Sequence, residues 1–152
     1  MLTSDRKRVV LDTSVIISGL MAKKKKDKDS PSFKILRQFE NNLFKLMMNG
    51  RIKEEYDRKL NENVKKGKVD ASDVSHFINL VVSDKAQYDR MFITPPIDVI
   101  DDPSDNIFFL SGNCLNANYL VTNNFKHFNN SIKEDLRKLG SQLQIVNPTE
   151  FL

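Results

Sequence analysis

Short apolar runs alternate along this chain with segments whose apolar residues recur at helical spacing. Val9-Val10-Leu11, running into Asp12, is short, β-branched and apolar on both faces, so residues 8–12 predict a buried strand. Val15 to Leu20 predicts a helical turn that ends near Gly19. Ser30 and Pro31 suit an N-cap and first helical position, opening a helix over Phe33, Ile35, Leu36, Phe39 and Leu43. Phe44 to Met48 fits strand or helix, and Asn49-Gly50 breaks it. From Arg51 to about Lys65 the residues Ile52, Tyr56, Leu60 and Val64 recur every fourth position, a helical stripe. Asp70 to Asp73 caps a further helix that carries Val74, Phe77, Ile78, Val81 and Val82 inward. Downstream, Asp98 to Ile100 predicts a strand, Ser104 or Asp105 a helix start reaching Cys114, and Tyr119 to Thr122 a strand. Ile132 to Leu139 predicts a helix, and Leu143 to Val146 a last strand stopped by Pro148.

Strands alternating with helices predict an α/β protein, a three-layer α/β/α sandwich around a central parallel sheet of four to five strands. A length of 152 residues suits one domain, 1–152, with a real core. Composition narrows the class. Hydrophobic content of 39% and charged content of 29% describe an ordinary polar protein, and no apolar stretch approaches a membrane span. The start of the chain is no signal peptide, and one cysteine, Cys114, excludes an internal disulfide and a thiol-based zinc cage. A cytoplasmic protein with no membrane partner is the expectation. Net charge is +4, which permits nucleic acid without demanding it. Two basic blocks stand out, Lys23-Lys24-Lys25-Lys26 and Lys65-Lys66-Gly67-Lys68. Each reads alone as a solvated loop, but the first follows the opening strand and its helical turn, which places it near the cleft that strand borders.

In a parallel sheet the C-terminal ends of all strands share one edge, where open α/β sheets bind ligands. Asp12 follows the first strand, Glu54 and Glu55 follow Met48, Asp101, Asp102 and Asp105 follow Ile100, and Asn123-Asn124 follow Val121. A carboxylate ending a buried strand is costly unless paired, hydrogen-bonded or metal-bound. Acids gathered from several strand ends suit Mg²⁺ or Mn²⁺, hard ions that bind substrate phosphate. Each residue also has a structural alternative. Asp12 can cap a turn, Glu55 can belong to a solvated helix face, and Asp102 and Asp105 can be turn and N-cap residues.

Val9 to Leu20, with Asp12 inside it, resembles the opening motif of the PIN-domain family of α/β nucleases. Leu46 to Tyr56 is similar to that family's second motif and sets its glutamate on Glu55. Asp102 to Leu110 resembles the third, with Asp105 as its acid and Asp102 a companion, and Asn118 to Asn124 resembles the fourth strand and its loop. The likeness covers nearly the whole chain and is close to single-domain prokaryotic members, among them toxins of toxin–antitoxin pairs. It implies a metal-dependent endoribonuclease in which Asp12, Glu55 and Asp105, with Asp102, hold Mg²⁺ or Mn²⁺ and water cleaves RNA. Ser14 and Thr122 would orient the ligands, and Lys23, Lys24, Lys25 and Lys26 would track the RNA backbone, with Lys126 and His127 nearby. An antitoxin protein and a second copy of the chain are the further partners implied. The chain departs from the family at Asn124, where an acid is usual. The alternative reading is therefore a PIN-fold module that binds RNA or a protein without cleaving. A phosphoacceptor domain of the response-regulator kind is the third, and the Asp12-Thr13-Ser14 step argues against it.

Overall fold

The computed structural model describes residues 6–83, 86–89, 117–123 and 143–152. Arg8–Leu11 forms strand β1 and leads into helix α1, Thr13–Lys24; helix α2 is Pro31–Glu40. Strand β2, Lys45–Asn49, passes into α3, Gly50–Lys65, and then α4, Ala71–Val82. Strands β3, Ala86–Asp89, β4, Tyr119–Val121, and β5, Gln144–Val146, complete the sheet, and α5, Pro148–Phe151, follows β5. The five strands of the described residues are all parallel, in the order β3-β2-β1-β4-β5. The α/β expectation is met. The chain moves outward from β1 through β2 to β3 and then crosses to β4 on the other side, so the strand order reverses between β1 and β4. The predicted strand 98–100, the helix from 104, the helix 132–139 and the second helical layer fall outside the described residues.

The central strands are apolar and buried on both faces: Val9, Val10, Leu11, Leu46, Met48, Leu120 and Val121 are fully buried. Ile52, Tyr56 and Leu60, three members of the four-residue stripe on α3, are fully buried as well, and Phe39, Phe44 and Phe77 pack as an aromatic group beside them.

Three elements differ from the reading of the sequence. Helix α1 does not stop at Gly19 but runs five residues further. A Cβ on Gly19 would lie 2.5 Å from Leu36 Cδ1 and 3.0 Å from the Ser32 carbonyl. Glycine is there for the close crossing of α1 over α2, and it ends no helix. Leu43, expected inward on α2, is 61% exposed beyond the helix end. Pro148 stops β5 as expected but also opens α5, under an Asn147–Glu150 capping box.

The lysine block is only partly a loop: its first two residues are helical, and Lys25 and Lys26 form the turn that follows. Lys23 and Lys24 form the last turn of α1, where cations favour the helix dipole. Lys26 takes the left-handed conformation, its N–H donates to Lys23 O and that of Asp27 to Ala22 O, which is the Schellman ending. Asn42 ends α2 and Gly67 ends α3 in the same way.

Candidate active site

Strand register gathers the site. Val9 pairs with Leu46 and Leu11 with Val121, so one step past the strands Asp12 stands between Asn49 on one side and Thr122 on the other. Strand order reverses between β1 and β4, and open α/β sheets hold ligands at such an edge. Asp12 stands at this point. It occupies the N-cap position of α1, yet its side chain makes no capping hydrogen bond. Its Oδ2 instead accepts from Thr122 Oγ1 at 2.6 Å and from Ser14 Oγ at 2.9 Å, and the residue is 5% exposed. Hydrogen bonds to a charged acceptor contribute about 1.5–3 kcal/mol each, enough to offset much of the cost of burying the carboxylate.

The network reaches one residue further. Asn123 N–H donates to Ser14 Oγ at 3.2 Å, while its Nδ2 donates to the Ser14 carbonyl and to Ser18 Oγ. The loop after β4 is thereby tied to the first turns of α1. Beside Asp12, the buried Thr13 hydroxyl finds no hydrogen-bond partner among the described residues. Such an orphan costs about 1–3 kcal/mol.

The neighbouring strand exit aims α3 at the same edge. Asn49, itself buried, caps α3 by accepting from the Ile52 N–H at 2.9 Å. One turn on, the fully buried Tyr56 donates its hydroxyl to the Leu11 carbonyl at 2.5 Å, fastening α3 to the end of β1. Burial, and then the negative charge of Asp12, hold the Tyr56 phenol well above its usual pKa.

Glu55, next to Tyr56 on α3, is also buried, but its surroundings are cationic. Arg58 Nη2 donates to both carboxylate oxygens, at 2.8 and 3.0 Å, and Lys59 Nζ lies 3.5 Å from Oε1. Arg58 also reaches Glu62 at 3.2 Å. The Glu55 hydrogen bond and charge raise the Arg58 pKa further, so its charge is fixed.

Of the residues singled out in the sequence, Asp12, Ser14 and Thr122 form one hydrogen-bonded group, with Glu55 on the adjoining helix. Asp102, Asp105, Asn124, Lys126 and His127 lie outside the described residues. The lysine block is elsewhere. Twelve residues separate Lys24 from Asp12, about 18 Å along α1 at 1.5 Å per residue. There Lys23 pairs with Asp73 at 3.1 Å, and Lys24 with Asp70 at 3.3 Å and with the Gly67 carbonyl. The expected position of Lys23 and Lys24 beside the cleft is thus corrected: α1 carries them away from it. Among the described residues no three His, Cys, Asp or Glu side chains form a ligand group. In kind, the donors present do fit a hard divalent ion, since they are buried carboxylates supported by hydroxyls.

A family model described as PIN domain matches residues 8–126, and the chain belongs to the PIN-domain family. PIN domains are generally nucleases and typically use divalent metal ions. No curated protein and no solved structure matches the chain. No described helix is long and apolar enough to cross a membrane.

Reading the sequence missed the roles of Asn49, Tyr56, Arg58 and Lys59, and it placed Asn123 at the site without its ties to Ser14 and Ser18. Tyr56 was visible only as one more apolar position in a stripe. The Glu55-Arg58-Lys59 spacing of three and four residues was the available signal for the ion pairs.

Proposed function

We propose that this chain is a divalent-metal-dependent endoribonuclease. The observation that carries the reading is Asp12, a buried carboxylate at the point of strand-order reversal that is oriented by the hydroxyls of Ser14 and Thr122. Asp12, Glu55 and Asp105, with Asp102, would hold Mg²⁺ or Mn²⁺. When bound, the ion supplies activation of water and neutralisation of phosphate charge. Ser14 and Thr122 both donate to Oδ2 of Asp12, which fixes the plane of the carboxylate before any ligand arrives. Asn123 holds Ser14 in place, and burial of the group lowers the local dielectric and strengthens each of these contacts. RNA is the substrate proposed; an antitoxin protein and a second copy of the chain are the partners proposed with it.

One sequence observation favours a second reading. Asn124 stands where an acid is usual, and one negative charge fewer weakens an oxygen-ligand site. On that reading the chain binds RNA or a protein and does not cleave. Incubating an RNA panel with wild type, Asp12→Asn and Asn124→Asp, in Mn²⁺, Mg²⁺ or EDTA, separates the two. Cleavage by wild type that needs metal and Asp12 supports the nuclease. Silence of wild type with activity in Asn124→Asp supports the binding module.

A further inference from the structure

Glu55 is a buried carboxylate that already has counter-ions. Arg58 donates one nitrogen to both of its oxygens, and Lys59 stands 3.5 Å away. A divalent ion and a guanidinium require the same lone pairs on those oxygens. Asp12, by contrast, accepts hydrogen bonds from the hydroxyls of Ser14 and Thr122.

We propose that Arg58 competes with the divalent ion for Glu55, so that metal loading is an exchange in which the guanidinium leaves the carboxylate. The proposal rests on the metal-site reading above. Three observations make the exchange feasible. Arg58 lies only one helical turn from Glu55, so a rotamer change suffices to release it. Its side chain is 53% exposed, so water receives the freed charge. It also already holds Glu62 at 3.2 Å, so leaving Glu55 does not strand it without a carboxylate. The contact protects Glu55 while no ion is present and sets the metal concentration at which the site fills.

The test is Mn²⁺ titration by calorimetry of the full chain as wild type, Arg58→Gln, Glu55→Gln and the double variant. Removing the competitor should tighten Mn²⁺ binding about five- to tenfold. The gain should vanish when Glu55 is already Gln, because the cycle isolates the coupling between the two residues. Equal affinity in wild type and Arg58→Gln, or weaker binding in the variant, overturns the exchange; weaker binding would make Arg58 a support that orients Glu55. A gain that survives in the Glu55→Gln background also overturns it, because the effect would then be one of general charge. If neither wild type nor Arg58→Gln binds Mn²⁺, the metal-site reading itself fails and the exchange with it.

Discussion

Two carboxylates are buried at one edge of the sheet, and they are kept in opposite ways. Asp12, at the exit of β1, rests on the hydroxyls of Ser14 and Thr122. Glu55, on α3, rests on the cations of Arg58 and Lys59. Hydroxyls orient a negative charge, whereas cations cancel it. The first arrangement is rigid, because Thr122 follows β4, Ser14 begins α1, and Asn123 ties the two. The second is adjustable, because Glu55, Arg58 and Lys59 share one helix face and the cations are half in water. A site that must attract a cation benefits from a fixed charge and a held one together.

The largest effect is expected at the fixed charge. Asp12→Asn keeps the shape and removes the charge, and RNA cleavage should fall by more than the roughly 10–100-fold typical of losing a supporting residue. Thr122→Val tests the support itself. It should cost about 10–100-fold in metal affinity or cleavage, and a value near wild type would show that Ser14 alone orients Asp12. Tyr56→Phe breaks the link between the two regions without touching either acid. It leaves the Leu11 carbonyl unsatisfied, and chemical denaturation should show a loss of about 1–3 kcal/mol.

Alkaline titration sharpens the same point. The folded protein holds the Tyr56 proton more tightly than the unfolded chain does, whose phenol titrates near 10. The stability linked to that proton is therefore complete below pH 10 and lost as pH rises above it. Denaturation midpoints of wild type should decline in that range more steeply than those of Tyr56→Phe. The smallest effect is expected for Glu55→Gln in the absence of metal. Its cations are half exposed and return to water, so stability should change by no more than about 1 kcal/mol.

Residues legible in the sequence were those whose role follows from local pattern. β1 is apolar on both faces, α3 shows its stripe, Ser30-Pro31 announces α2, and Asp12 stands out as a charge at the end of a buried run, whereas the apolar run of β2 fitted strand or helix alike. What escaped depends on neighbours distant in the chain. Helix α1 is packed against α2 and α3 and is buried around much of its surface, so it shows no clear stripe by which to measure it. Strand β3, Ala86-Gln87-Tyr88-Asp89, has neither an apolar run nor alternation, and it is a strand because the edge of β2 receives it. The ion pairs of Lys23 and Lys24 were hidden because their acids, Asp73 and Asp70, lie nearly fifty residues on. The ties of Asn123 to Ser14 and Ser18 were hidden for the same reason, since Asn123 lies more than a hundred residues along the chain.

Calorimetric Mn²⁺ binding to wild type and Asp12→Asn tests the central claim most directly. Saturable binding by wild type that Asp12→Asn loses is the predicted result. Equal binding by the two proteins would contradict it, and would mean that the carboxylate held by Ser14 and Thr122 is a structural acid and no metal ligand.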